Sequence, residues 1–552
     1  MNVVDEVTAP RAHSTLVASA LAGVRPGVTS SAVLLAQFHV LSETAGGTSA
    51  LRKLILHFAI RWRLSTREAY DDSVTLLLAA AQRDRQSKLA RGDARQMEEL
   101  RVLGNDEVPF SLPHPWAWTR IGHAMNLVNG RAFKPNDWST SGLPIVRIQN
   151  LNNPSAPFNH CAFAVEAKHH LGPGDFLISW SGTPGTSFGA FIWNGPKGVL
   201  NQHIFRGEIY AKAYELGFLR IAINARLDEM IAQAHGGVGL QHITKGKLEA
   251  LAIPLPPLAE QKRIVAKVDQ LMALCDELEA RQTKKRVTSA RLTKSALEAL
   301  TTAEGPEEFD VAWKRVVENF DLLVNCAEKV SAVRQSVLDL ATSGRLNAGA
   351  TGNGLPADWT WETVESVTSL VTDGEHLTPQ RVPVGIPLVT AKNVRDGHMD
   401  YTTTDFVEIQ TAEKCWRRCK PQVGDLLMVC VGATTGRMCV LRDAGGFVLV
   451  RSVAVLRPDP RKMTADFLSA VLRSPRGQRQ IWAGVKQQAQ PCLYLNRMKV
   501  IRVPCPPLQE QGRIVAKVEQ LMKLCDALEA RLGHAEDCAT KLVEAVVQEL
   551  VA

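Results

Sequence analysis

No run of apolar residues in this sequence approaches the ~18 that a membrane span needs; stretches such as LLMVCVGA at 426–433 are among the longest. The opening residues MNVVDEVTAP place Asp5 and Glu6 where a secretory signal would place Lys or Arg, so a soluble cytoplasmic protein is expected, with no membrane as partner. Cysteine is sparse: eleven scattered residues in 552, an odd count without the dense spacing of a secreted disulfide framework. Charge of a single sign is lacking too. With 22% charged and 45% hydrophobic residues, the chain is not a disordered polyelectrolyte and can bury cores. At roughly 100 to 200 residues per domain it should hold about three to four folding units.

Catalytic signatures are also missing. No [DNS]-P-P-[YFW] motif of an adenine methyltransferase occurs, because the Pro-Pro pairs stand in LPPL and CPPL strings at expected helix starts. GGVGLQHITKGK at 236–247 has the wrong spacing for a phosphate loop. Cys415 and Cys419 form a lone C-x3-C without a second pair, and His169, His170 and Asp175 follow no ligand spacing, so no metal site is expected.

What is present is a repeat. PLPPLAEQKRIVAKVDQLMALCDELEAR, from Pro254 to Arg281, returns as PCPPLQEQGRIVAKVEQLMKLCDALEAR, from Pro504 to Arg531, with 22 of 28 positions identical at an offset of 250. A weaker match pairs the segment Phe38–Leu64 with Phe320–Leu346, where 10 of 27 positions agree at an offset of 282. The chain is a tandem duplication. Between the repeats, residues 110–257 hold 12 basic and 8 acidic side chains and residues 347–505 hold 20 and 14. Those two blocks therefore carry all of the +8 net charge, a modest attraction for a polyanion.

The blocks share a framework and differ in content. Pro115-Trp116-Ala117-Trp118 echoes Pro356-Ala357-Asp358-Trp359, pairing Trp118 with Trp359 as core residues; GLPIVRIQNL at 142 echoes GIPLVTAKNV at 385, and GDFLISWSG at 174 echoes GDLLMVCVG at 424. Short β-rich runs broken by Gly, Pro, Asn and Asp predict an α+β domain of about 150 residues in each block. After the Pro-Pro turns, Ile264, Val268, Leu271, Cys275 and Leu278 fall at spacings of 4 and 3, as do Ile514, Val518, Leu521, Cys525 and Leu528. That is the seam of a coiled-coil helix. One such stripe reads as a helix packed on its own domain; two in a duplicated chain predict that the seams bury each other as an antiparallel pair about a pseudo-twofold axis. The divisions are an N-terminal helical region, 1–110, with a polar insertion or linker at 65–110; α+β blocks at 111–257 and 347–505; a central helical region, 258–346; and a C-terminal helix, 506–552.

These strings resemble the specificity (S, HsdS-type) subunits of type I restriction-modification systems. PPLAEQKRIVAKVDQLM and PPLQEQGRIVAKVEQLM resemble the start of that family's two spacer helices, VRQSVLDLATSGRL the end of its central region, and TDGEHLTPQ with GIPLVTAKNV the opening of a target recognition domain. The likeness runs from about Phe38 to the C-terminus, with RWRL at 61–64 departing from the small-residue pattern at Ser343-Gly344. It implies two α/β target recognition domains held apart by long helices in an antiparallel coiled coil, each reading half of a bipartite, asymmetric site in double-stranded DNA. It also implies two methyltransferase (M) subunits docked on the helices, restriction (R) subunits joining them, and no catalysis by this chain alone. S-adenosylmethionine would sit in M, and ATP and Mg²⁺ in R. Two other readings are an S-like region of a fused methyltransferase or nuclease, and a protein scaffold without DNA contact.

Candidate DNA contacts are polar and basic residues at turns and strand ends. In the first block these are Arg131, Lys134, Arg147, Gln149, Asn150, Ser181, Thr183, Thr186, Gln202, Gln241 and His242; in the second, His376, Thr378, Lys392, Asn393, Arg395, Thr434, Thr435, Arg437, Arg451, Gln488, Gln490 and Tyr494. Arg and Lys suit guanine O6 and N7, Asn and Gln suit adenine N6 and N7, and hydroxyls and spare cations hold phosphates. Arg147 with Gln149, and Lys392 with Asn393, stand out because both pairs fall in one framework slot.

Overall fold

In the computed structural model, the described residues are 42–551 except 45, 65–67, 69–70, 72, 95–102, 105–106, 154, 183–187, 228–230, 232–240, 347–354, 444–445 and 487–489. The chain divides into two units, Met1–Thr283 with Cys538–Ala552, and Lys284–Asp537. Two long helices, Leu258–Thr302 and Leu508–Val551, each begin in one unit and end in the other.

In the first unit a two-stranded ribbon, Ala117–Arg120 with Ala252–Leu255, ties together the ends of the α+β block. Between them runs an antiparallel sheet in the order Met125–Asn129, Ile204–Ile209, Phe176–Ser179, Gly189–Ile192. The strand Phe176–Ser179 is buried along its whole length, which is why Phe176, Leu177 and Ile178 run on as apolar residues rather than alternating with polar ones. A second sheet holds Leu143–Val146 parallel to Gly198–Leu200 and antiparallel to Asn159–Cys161. Helix Leu216–Asn224 starts where Glu215 accepts a hydrogen bond from Phe218 N at 2.7 Å, and buries Phe218, Leu219, Ile221 and Ile223.

The second unit repeats this plan. Its ribbon is Thr360–Thr363 with Arg502–Cys505; its main sheet runs Thr368–Asp373, Val453–Pro458, Leu426–Val429, Met438–Val440; and Ile386–Val389 lies parallel to Val448–Leu449 and antiparallel to Asp405–Val407. The registers correspond as well, with Ile204 opposite Ser179 in one sheet and Val453 opposite Val429 in the other.

The seams are consumed differently from the expectation. Ile264, Val268, Leu271 and Cys275 are buried in the first unit with Leu51, Leu54 and Phe58 of helix Gly47–Ile60 and with Val543, Val546 and Leu550. In the second unit Ile514 and Val518 join Leu338, Trp359 and Phe467, while Cys525 joins Leu297, Leu300 and Val330. Leu278, Leu521 and Leu528 are only half-buried. Within each unit, seam residues at the head of one long helix thus share a core with a short helix and with the tail of the other long helix. The tails supply a second apolar set that the repeat did not reveal.

The weaker repeat provides the short helices. Arg52 of Gly47–Ile60 pairs with Asp276 at 2.6 Å and Glu279 at 3.0 Å, and Arg334 of Ala327–Thr342 pairs with Asp526 at 2.6 Å and Glu529 at 2.5 Å. The carboxylates are exposed, so these pairs fix register more than they add stability. Where RWRL departs from the pattern, Trp62 takes the left-handed conformation (φ 52) that Gly344 (φ 79) takes in the second copy. The polar segment after it is no linker: Val74–Arg91 is a helix whose Asp84 accepts a hydrogen bond from Ala211 N at 2.8 Å, and Asp71 pairs with Arg263 at 2.8 Å.

Candidate nucleic-acid interface

The PPLxEQ strings clamp each α+β block to its long helix. Trp116 Nε1 donates to Glu260 at 2.9 Å and Trp359 Nε1 to Glu510 at 3.1 Å. The buried amide of Gln261 accepts from Glu215 N and donates to the carbonyls of Ala213 and Pro256; that of Gln511 accepts from Thr464 N and donates to those of Lys462 and Pro506. Every polar atom of the clamp is satisfied, as a buried site demands. It also corrects the tryptophan pairing. Trp116, not Trp118, corresponds to Trp359, because LPHPW aligns with LPADW and the N–H of each Trp bonds the Pro three residues before it. Trp118 instead donates to Phe110 O.

A second framework element involves predicted contact residues. Asn150 and Asn393 are buried, accepting from Arg147 N at 3.1 Å and Thr390 N at 2.9 Å and donating to Ala156 O and Asp400 O. Their amides are spent on the chain itself. The shared slot is therefore Asn150 with Asn393, and Lys392 matches Gln149.

Most of the other candidates are also committed. Arg131 lies over the rings of Phe133 and Phe163, and Arg147 over Trp138. Gln149 donates to Pro157 O, Lys392 pairs with Asp405 at 3.1 Å, and Arg395 with Asp400 at 3.1 Å. Hydrogen bonds from Thr402 and Arg395 hold the Asp400 carboxyl down at about 2. His376 meets Asp373 and Arg418, Thr435 bonds Gly432 O, and the Tyr494 ring lies under Lys486. Lys134, Thr378 and Gln490 are exposed, and Thr434 is half-buried. Thr183, Thr186 and Gln488 lie outside the described residues, as does the side chain of Gln241. Arg437 and Arg451 make no side-chain hydrogen bond or ion pair among the described residues.

The two sheets meet at a turn that is built identically in both units. Ile204 N bonds Asn201 O at 3.1 Å and Val453 N bonds Val450 O at 3.0 Å, so Gln202-His203 and Arg451-Ser452 occupy the same two central positions. Arg131 N to Leu200 O at 2.8 Å and Glu375 N to Leu449 O at 2.7 Å lash the neighbouring strand to each turn. The residue before that bond is Gly130 or Gly374, where a Cβ would meet Asn201 O at 2.1 Å or Leu449 C at 2.2 Å. Around the first turn, Trp180 stacks on Phe205 at 5.5 Å, His203 stacks on His242 at 6.4 Å, and Ser181 bonds His242 at 2.6 Å. Burial, with His242 alongside, pushes the His203 imidazole below its ordinary value. Gln202 Oε1, His203 Nδ1 and Trp180 Nε1 are sheltered without hydrogen-bond partners among the described residues. Neither Trp180 nor His203 stood out in the sequence; only the strand pairing brings them beside Gln202 and His242.

The residues sketched as a metal or acid-base site serve the backbone. His169 Nδ1 meets Asn129 O, His170 Nε2 meets Val165 O, and Asp175 accepts from Gly172 N, as Asp425 does from Gln422 N. Cys415 and Cys419 are buried in different apolar clusters, and burial pushes the Cys419 thiol up to about 11. Among the described residues no helix is long and apolar enough to cross a membrane.

Two copies of one α+β framework with unlike residues on a common turn define a class, that of duplicated recognition proteins. Comparison with known proteins gives the family. The type I restriction modification DNA specificity domain matches residues 113–289 and 396–534, more than half of the chain, and the protein belongs to that family. It is 25% identical over 79% of its length to the Escherichia coli type I restriction enzyme EcoBI specificity subunit, covering 86% of that protein. With the EcoAI specificity subunit of the same species it shares 22% identity over 92% of its length and 94% of the relative's. A solved chain from a study of assembly and conformational transition of the type I R-M system covers 80% of this chain, with 99% of its own length matched, at 19% identity and a TM-score of 0.47. The chain is thus a DNA sequence-specificity subunit, and as such not itself the catalyst of its complex.

Proposed function

We propose that each unit reads one half of a bipartite, asymmetric DNA site, and that the two long helices, paired antiparallel, hold the readers at a fixed spacing and dock two methyltransferase subunits, with restriction subunits joining that core in the cytoplasm. S-adenosylmethionine bound by the methyltransferase and ATP with Mg²⁺ bound by the restriction subunit supply the chemistry. The observation that carries this reading is the pairing of equivalent turns that present different side chains, Gln202-His203 and Arg451-Ser452, on one backbone. Two unlike half-sites require such a device, because positioning and base contact are separate tasks. The sharing of a core by the head of one long helix and the tail of the other in each unit supports the antiparallel pairing. Residues Glu260 to Arg281 span ~33 Å of helix at 1.5 Å per residue, comparable with the ~34 Å between half-sites on one face of B-DNA.

The test is sequencing of methylated sites in a host expressing this chain with its methyltransferase partner. A bipartite target is expected, and replacing residues 111–252 by the equivalent block of a relative should change one half only. If both halves change together, the two-reader division is wrong. One heptad inserted after Arg281 and another after Arg531 should lengthen the spacer by up to ~3 base pairs; methylation at the original spacing would show that the helices do not set it.

A further inference from the structure

The two turns differ in a way that names bases. Gln202 and Arg451 hold the same position, each the residue after the one whose carbonyl closes the turn. Among the described residues each has its functional group uncommitted: Gln202 Oε1, shielded from solvent in this rotamer, has no partner, and Arg451, exposed, makes no side-chain hydrogen bond or ion pair. Several of the other candidate cations and amides are engaged by carboxylates, rings and carbonyls, as Arg395 is by Asp400, Arg147 by Trp138 and Asn150 by Ala156 O. A sheltered acceptor without a partner is costly unless a ligand meets it. The strand beside the second turn adds Glu375, whose backbone C=O accepts from Arg451 N at 2.9 Å. Its carboxylate Oε1 accepts from His376 N at 2.9 Å, and Oε2 is an acceptor suited to a cytosine amine.

We propose that this turn is the base-reading position of both units, with Gln202 pairing with adenine N6 and N7 in one half-site and Arg451 with guanine O6 and N7 in the other. The inference rests on the reading that each unit contacts one half-site, and it assigns the letter that each unit reads at one position. Gln202 meets the adenine amine with Oε1 and N7 with Nε2; Arg451 donates twice to the guanine edge. His203 and Trp180, with unmet ring nitrogens beside Gln202, complete the first pocket, whereas Glu375 sits beside Arg451 to take the cytosine amine of the same base pair.

The experiment exchanges the letters. The complex of full-length chain and methyltransferase is expressed with Gln202→Arg or Arg451→Gln, and its methylated sites are sequenced. Gln202→Arg should convert one A to G in the half-site that follows residues 111–252, and Arg451→Gln one G to A in the other. Unchanged targets at wild-type extent, or changes in both halves, overturn the assignment. A variant that methylates nothing is resolved with the wild-type complex, by competition binding to target duplexes carrying 7-deazaadenine or 7-deazaguanine one position at a time. Loss of N7 at one adenine of the first half and one guanine of the second should weaken binding by about 5- to 150-fold, and Gln202→Ala or Arg451→Ala should abolish that sensitivity. If no single N7 matters, the assignment fails. A wild-type complex that methylates no bipartite site would instead sink the two-reader function itself.

Discussion

The turn at Asn201–Ile204 and the turn at Val450–Val453 are closed by hydrogen bonds of 3.1 and 3.0 Å and lashed to a neighbouring strand by bonds of 2.8 and 2.7 Å, yet no side chain is common to them. The clamps below behave in the opposite way: Trp116, Glu260 and Gln261 recur as Trp359, Glu510 and Gln511 with the same partners. The contrast separates holding from presenting. Backbone and buried side chains hold the turn, and what it presents is free to differ because the bonds that close and lash it run between backbone groups.

That separation can be broken at the core, where the effect should be largest. Leu177→Ala and Leu427→Ala each empty a fully buried site in a central strand, with an expected cost of about 2 to 5 kcal/mol. Calorimetry should show each variant lowering a different transition; if both variants lower both transitions equally, the units are one folding block. Next come the clamps. Gln261→Ala and Gln511→Ala leave buried backbone groups without partners, for about 1 to 3 kcal/mol each, and equal losses measured by urea unfolding are expected from their matching bonds. A smaller effect sharpens the comparison just past the ends of the two short helices. Gly344→Ala places a Cβ 2.5 Å from Pro356 Cγ at a left-handed φ, whereas Trp62 already bears that conformation in the first copy. The Gly344 variant should lose about 1 to 2 kcal/mol, and no loss in its melting curve would deny the strain. The smallest concerns pH. His203 has its folded-state value lowered by burial, so the unfolded chain takes up the proton first. Stability from this residue is present above the unfolded value, ~6.5, and falls as pH drops through the folded one. The first unit should show this slope and His203→Gln should lessen it; the second, with Ser452 in that place, lacks this contribution.

The duplication, the helix starts and the α+β character were legible because identical strings and periodic spacing are local signals. The partner of each seam was not: a stripe says that a face is buried, not by what, and the tails with Val543, Val546 and Leu297 carry no repeat to flag them. Trp118 was paired with Trp359 because PWAW offers two tryptophans, and the ribbon register, Ala117 opposite Leu255 and Thr360 opposite Cys505, agrees with the indole bonds to Glu260 and Glu510 in choosing Trp116. Asn150 and Asn393 look like base readers in sequence because a buried turn amide and an exposed one are spelled alike. Gln202 and Arg451 were visible as polar loop residues, but their equivalence exists only through strand pairing and so could not be read along the chain.

The packing of Val543, Val546 and Leu550 against Ile264 and Leu271 also orders events at the ribosome. The first unit is mostly translated before the second, yet three of its core residues, Val543, Val546 and Leu550, follow the second unit in the chain. Its helix head must wait, apolar face open, while more than 250 further residues are synthesised. Completion of the first core therefore reports that the second unit has already been made, and a product cut short before Val543 would expose the seam to chaperones and proteases.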